Sequence, residues 1–221
     1  MASSLLLRLF SFAQTIVFQD IGNKFPTKSV KPLMDLGFII FEKMGVNFPV
    51  IADLYLKFYD NVVKEEARLA QITPNDRVLV IGSGSLPATP ILIARHTGSC
   101  VVTIDRDPTA VKIGTRFIHN INLDKQLTVS YGEGLTYPAK DFTVVFLMYG
   151  VKNTQAVIDS LPQRISDGCR VVIRLMSDEH HKTVDDLDLT SRFTIKNQVH
   201  TTALGSFDTF LLEKKHSLVR T

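Results

Sequence analysis

Two glycines and one acid stand where a nucleotide would need them. Gly82 and Gly84 follow the apolar run Val78-Leu-Val-Ile81, and Asp105 ends a second run, Val101-Val-Thr-Ile104, 23 residues beyond Gly82. Glycine has no Cβ, so the chain turns sharply there and a ligand can approach the main chain. A carboxylate at the end of the neighbouring strand accepts hydrogen bonds from both hydroxyls of a ribose, at a usual spacing of roughly 20 residues. Arg77 to Thr89 therefore reads as a buried strand, a glycine turn and the start of a helix. The third glycine of the dinucleotide fingerprint is absent, with Pro87 in its place. The plainer alternative is a tight strand-to-helix turn with no ligand.

Other residues invite chemistry less directly. Tyr149 follows the apolar run Phe142 to Met148. The carboxyl ends of parallel strands face the ligand crevice, so Tyr149 is either a substrate contact or a core aromatic. His180 and His181 have Asp178, Glu179, Asp185 and Asp186 nearby. Adjacent histidines do not share one helical face, and zinc sites favour more orderly spacing, so no metal is expected. Neither a phosphate-binding P-loop nor a Ser/His/Asp motif is present in the sequence.

The elements that must position these residues fit one core. At 221 residues, 45% hydrophobic and 21% charged, the chain has the composition of an ordinary globular domain with a small accessory segment. A net charge of +3 from scattered basic residues gives no phosphate track, so no nucleic-acid partner is expected. Two cysteines make no disulfide framework. Cys100 and Cys169 both enter strands and are expected as reduced core residues of a cytoplasmic protein. The apolar stretch Leu5 to Phe18 is shorter than the ~20 residues that span a bilayer, and Arg8 interrupts it. It lacks a clear basic leader and cleavage site, which argues against a signal peptide. It is read as a helix docked on the core or on the partner in a homodimer. A helix lying on a membrane surface is the alternative.

Lys28 to about Ile72 is expected to be helical, with Pro32 and Pro49 as breaks and Leu54, Leu56, Phe58, Val62 and Val63 as one apolar group. Residues 1–72 form a helical lead-in, and 73–221 the ligand-binding unit. After the glycine turn come a helix over Thr89 to Thr97 and the strand ending at Asp105. A helix capped by Asp107 and begun by Pro108 follows, with Val111, Ile113, Phe117 and Ile118 buried. Leu127 to Ser130, Phe142 to Met148 and Cys169 to Leu175 supply three more strands. The helix Thr154 to Ile165 should bend or end at Pro162. The strands Phe193 to His200 and Phe207 to Lys214 are joined too closely for a parallel crossover, so they pair antiparallel. The fold class is thus α/β: a Rossmann-like, doubly wound, mostly parallel seven-stranded sheet with a terminal antiparallel hairpin, preceded by a helical segment.

From Asp76 to Lys215 this arrangement resembles the class I S-adenosylmethionine-dependent methyltransferases. The resemblance implies S-adenosylmethionine as cofactor. Gly82, Ser83 and Gly84 would face its methionine part, and Leu86 and Arg106 would also contact the cofactor. Asp105 would hold the ribose, and Glu133 would reach the adenine. A narrower resemblance is to the nicotianamine synthases, which carry a Gly-Ser-Gly-Pro-Leu/Met-Pro-Leu-Thr turn where this chain has Gly82-Ser-Gly-Ser-Leu-Pro-Ala-Thr89. Ser85 and Ala88 depart from the pattern. Those enzymes also bear a tyrosine and then a catalytic glutamate on the helix before the first strand, positions that Tyr59 and Glu66 match. The plainer reading of Glu66 is a solvated glutamate beside Glu65, with Lys64 and Arg68 as ion-pair partners.

The implied activity is transfer from S-adenosylmethionine to a small molecule. The sulfonium is already activated, so the protein must align a nucleophile, exclude water and, for an amine, supply a base. Methyl transfer is the first reading, and aminocarboxypropyl transfer of the nicotianamine synthase type the alternative. An NAD-dependent oxidoreductase and a non-catalytic module held at a membrane or partner by residues 5–18 are the alternatives of other classes.

Overall fold

The computed structural model describes Val46 and residues 48–177, 187–202 and 206–215. Helix α1 spans Pro49–Leu69. Then follow β1 (Arg77–Ile81), α2 (Ala88–Thr97), β2 (Cys100–Asp105), α3 (Pro108–Asn120) and β3 (Leu127–Tyr131). The chain continues through β4 (Val144–Leu147), α4 (Thr154–Arg164), β5 (Arg170–Met176), β6 (Phe193–Thr202) and β7 (Ser206–Lys214). The sheet runs β3-β2-β1-β4-β5-β7-β6. The first five strands in that order are parallel, and β7 lies antiparallel to both β5 and β6. Strand order reverses between β1 and β4, which opens a crevice at their carboxyl ends. The expected fold class is the one observed.

Side-chain alternation splits the core in two. Val78 and Val80 of β1 face α1 and α2, while Leu79 and Ile81 face the layer containing Val157, Ile158 and Leu161 of α4. On α1, Ala52, Tyr55, Leu56, Tyr59 and Val63 form a stripe at helical spacing that packs into the same core as Phe146, Met176 and Phe207. The part of the lead-in that is described therefore shares the sheet's core. Leu54 and Phe58, expected on the buried face, are half-buried, and the tyrosines are inside. Residues 5–18, the rest of the chain before Phe48 apart from Val46, and residues 178–186 with His180 and His181 lie outside the described residues. Among the described residues, no helix is long and apolar enough to cross a membrane, and no cluster of His, Cys, Asp and Glu could hold a metal ion.

Several expectations need correction. Cys100 is exposed, because it sits at the open amino end of β2; only Cys169 is in the core, where burial pushes its thiol to about 11. On α3 the fully buried residues are Ala110, Gly114 and Ile118, while Val111, Ile113 and Phe117 are half-buried. The helix lies close to the sheet at Gly114, where a Cβ would sit 3.4 Å from Val129. Helix α4 passes through Pro162 and ends two residues later, at Arg164. The Arg164 guanidinium anchors that end by donating to the Gly134 and Tyr137 carbonyls at 2.9 and 2.7 Å. Strand β4 spans only Val144–Leu147, shorter than expected at both ends, and the Thr143 hydroxyl before it donates to Asp76 at 2.7 Å.

Asp76 ties the entry to β1. Its carboxylate accepts from the Thr73 amide at 2.7 Å, from Thr143 and from Arg170. Burial alone would raise its pKa, but the hydrogen bonds from Thr143 and Thr73 and the Arg170 cation hold it below the ordinary 3.8. The native state thus favours the carboxylate, so its contribution is full above pH 3.8 and is lost as pH falls through the depressed native value. Asp76→Asn is expected to cost about 1–3 kcal/mol near neutrality and to flatten the acid limb of urea-unfolding midpoints. An acid limb as steep as wild type would remove Asp76 from that role.

Candidate active site

The carboxyl ends of β1, β2, β4 and β5 open into a cleft of about 510 Å³. That lies within the roughly 300–1,000 Å³ usual for small-molecule sites. At its base the chain leaves β1 through Gly82 and Gly84, at φ +88° and +63°. Both are left-handed conformations that side chains disfavour. A Cβ on Gly82 would also meet Val151 Cγ2 at 2.6 Å. Gly82→Ala is therefore expected to cost about 2 kcal/mol or more in urea unfolding, from backbone strain and overpacking together. A loss below half that value would show that the turn relaxes freely.

The glycine turn and the acid are bonded to each other. Asp105 Oδ2 accepts the Gly84 amide at 2.8 Å, and Oδ1 accepts the Asp107 amide at 3.0 Å. Each carboxylate oxygen has two lone pairs, so each retains capacity toward the cleft. Ser83 Oγ is buried against the cleft with no hydrogen-bond partner. Such an orphan fits a ligand that brings its own polar groups. Leu86 forms apolar floor at 1% exposure, and Arg106 stands beside Asp105. Glu133 lines the cleft on an exposed turn, whose Gly132 amide bonds to Asp105 O at 3.0 Å and whose far end is pinned by Arg164.

The opposite wall is aromatic. Tyr59 of α1 packs against Tyr55 at 5.0 Å and Phe207 at 6.4 Å, and Tyr149 meets Phe207 edge-on at 6.4 Å. All four rings line the cleft. Nine of the ten site residues singled out from sequence are thus brought to one cavity.

The tenth, Glu66, lies behind that wall at 0% exposure. Lys64 and Arg68 do not pair with it; they bond Asp60 and Glu65. Glu66 instead accepts from Arg174 Nε at 2.7 Å, from Arg174 Nη2 at 2.5 Å and from Thr209 Oγ1 at 2.8 Å. Arg174 lines the cleft and was missed by sequence reasoning. The signal was a charge inside the apolar run Val171 to Met176, matched by Glu66 on the apolar stripe of α1. Burial works against the Arg174 cation, but the adjoining Glu66 carboxylate outweighs it and raises its pKa above the ordinary value.

Residues 48–217 match the nicotianamine synthase protein family. The chain belongs to that family. The curated L-histidine 2-aminobutanoyltransferase of Yersinia pestis is 27% identical over 123 residues. That match covers 55% of this chain and 46% of the relative, so this family member aligns with about half of that protein's length. A glutamate-to-glutamine mutant of MtNAS, solved in complex with S-adenosylmethionine, superposes with a TM-score of 0.78 at 16% identity, covering 98% of this chain and 93% of that one. MtNAS in complex with MTA and tNA gives 0.76 at 18%, covering 98% and 90%. The fold is therefore the one these MtNAS structures have.

Proposed function

We propose that this nicotianamine synthase family member is an S-adenosylmethionine-dependent transferase that moves an aminocarboxypropyl group onto the amine of a small molecule. The observation that carries this reading is that the family match, residues 48–217, contains every residue lining the cleft. Sequence reasoning places methyl transfer first; family membership reverses that order. Pro87 in place of a third glycine, and an antiparallel last strand, weigh against a nicotinamide-dependent oxidoreductase.

In this reading Asp105 holds the ribose hydroxyls, and Glu133 faces the adenine with Arg106 at its side. Gly82, Ser83, Gly84 and Leu86 cradle the methionine part, where the orphaned Ser83 hydroxyl gains a partner. Bound S-adenosylmethionine supplies carbons already activated by the sulfonium, one of which the acceptor amine attacks as methylthioadenosine departs. Tyr59 and Tyr149 enclose the acceptor and exclude water. Glu66 acts through Arg174, because it is fully buried behind the aromatic wall and does not itself line the cleft. The division into a lead-in over residues 1–72 and a cofactor-binding unit over 73–221 belongs to the same proposal. So does a cytoplasmic setting, supported by the two free cysteines, and a homodimer, which sedimentation would test.

The test is product identity. Purified protein, S-adenosylmethionine and a panel of free amino acids are incubated and analysed by mass spectrometry. Methylthioadenosine with an adduct of the aminocarboxypropyl group is the expected result. S-adenosylhomocysteine with a methylated product would return the assignment to methyl transfer.

A further inference from the structure

The last hairpin carries a set of side chains that the cleft does not use. His200 of β6 lies opposite Asp208 of β7, and Ser206 precedes Asp208 by two residues on the same strand. Two residues of strand cover about 6.8 Å, a span that an imidazole bridges with one hydrogen bond at each ring nitrogen. His200 does so here: Nδ1 is 2.8 Å from Asp208 Oδ1, and Nε2 is 3.1 Å from Ser206 Oγ. The tautomer follows from the partners. A carboxylate only accepts, so in the neutral ring Nδ1 carries the proton and Nε2 is left to accept from the Ser206 hydroxyl. An ion pair across the hairpin would need only His200 and Asp208. The hydroxyl on the far nitrogen completes a nucleophile, its base and the group that orients the base. Such a set is recognised by geometry and roles, whatever the order of its members in the chain.

Side-chain alternation decides which face carries the set. Phe207 belongs to the cleft's aromatic wall, so Ser206 and Asp208 project from the other face, where Phe210 and Leu212 join the layer of α4. None of the three residues lines the cleft. The Asp208 side chain is 11% exposed and that of His200 34%, while Ser206 is half-buried. The carboxylate is thus shielded, and the hydroxyl stays open to solvent. Next to Ser206, the Ser177 amide donates to the Ser206 carbonyl at 3.0 Å. Ser177 follows Met176, which packs with α1, so its side chain emerges on the face of Ser206. Its hydroxyl is buried with no hydrogen-bond partner. A buried hydroxyl of that kind is rare, and beside a nucleophile it is a donor for an oxyanion.

We propose that Ser206, His200 and Asp208 form a second active site, which hydrolyses small carboxylic esters through an acyl-serine. The site stands independently of the transferase reading. Ser206 Oγ attacks the ester carbonyl carbon as its proton passes to His200 Nε2. The Oγ–C bond forms, the C–O bond to the alcohol breaks, and Nε2 gives the proton to the departing alkoxide. Water then adds to the acyl carbon with Nε2 as base, the carboxylic acid leaves, and Ser206 regains its proton. Asp208 is a positioning residue that keeps the imidazole in the tautomer the first step requires. The Ser177 hydroxyl is the donor assigned to the carbonyl oxygen as it becomes negative.

The experiment treats the full chain with a fluorophosphonate and, separately, with p-nitrophenyl acetate, and maps the modified peptides by mass spectrometry. The expected result is a phosphonyl adduct on Ser206 and catalytic release of p-nitrophenolate. Ser206→Ala is expected to abolish the adduct and lower the release by about 100-fold or more. The variant's circular dichroism should match wild type, which shows that it folds. His200→Gln is expected to slow labelling of Ser206 by about 100-fold or more. Nitrogen-15 spectra of the imidazoles test Asp208, the His200 signal being the one lost in His200→Gln. Wild type is expected to carry the ring proton on Nδ1. Asp208→Ala should let it shift to Nε2 and slow labelling, and Asp208→Glu should restore the wild-type tautomer. Labelling confined to other residues, Ser206 labelled as fast in His200→Gln, ester hydrolysis unchanged in Ser206→Ala, or a wild-type ring protonated on Nε2 alone would each overturn the proposal.

Discussion

Replacing Asp105 with alanine is expected to weaken S-adenosylmethionine binding by about 1–3 kcal/mol, roughly 5- to 150-fold in Kd. Two effects contribute. The proposed ribose contacts disappear, and the Gly84 and Asp107 amides lose the acceptor that now shapes the glycine turn. Asp105→Asn separates them in part, because its single amide oxygen can still accept from Gly84 while the Asp107 amide loses its acceptor. Calorimetry on both variants gives the split. An asparagine variant nearly as weak as the alanine variant shows that the Gly84 contact alone does not carry the loss. Unchanged affinity in both would reject the ribose assignment.

The larger effect on the fold is expected at Glu66. Its carboxylate and the Arg174 guanidinium are 0% and 3% exposed, so Glu66→Ala strands a cation in the core at a cost of about 3–5 kcal/mol. Glu66→Gln should cost less, since its amide oxygen still accepts from Arg174 or Thr209. The Gln variant is nonetheless expected to slow turnover far more than it weakens cofactor binding, because the Arg174 guanidinium loses its counter-charge at the acceptor wall. Combining Glu66→Leu with Arg174→Met tests the two effects together: chemical denaturation should return close to wild type while turnover stays low. A single alanine variant within about 1 kcal/mol of wild type would mean that the pair contributes little to stability.

Much of this is legible in the residues themselves. Val78 to Ile81 carries no polar side chain and is buried throughout, as a strand covered on both faces should be. Asp107 caps α3 as its type suggests, accepting the Thr109 amide at 2.8 Å. The short link between the last two strands dictates their antiparallel sense. Cys100 misleads when residue type is weighed over position: a strand's first residue faces whatever the turn before it leaves uncovered. Pro162 misleads by two residues: the helix runs on to Arg164, whose side chain holds the last turn by donating to Ser160 Oγ. Arg174 and Glu66 are legible as a pair only to a reader who asks why opposite charges occupy two stripes that are otherwise apolar. Tertiary contact between β5 and α1, 108 residues apart, supplies the answer, and no local pattern encodes it.

Helix α1 carries both Tyr59 and the glutamate behind it, yet Asp105 and the glycine turn belong wholly to the sheet. In the proposed transferase, one wall of the acceptor half and the nucleoside grip are therefore carried on separate pieces of chain. Drift in this helix would re-tailor that wall and leave the nucleoside grip untouched. Chimaeras that trade the helix between relatives are expected to shift acceptor preference while keeping their affinity for S-adenosylmethionine.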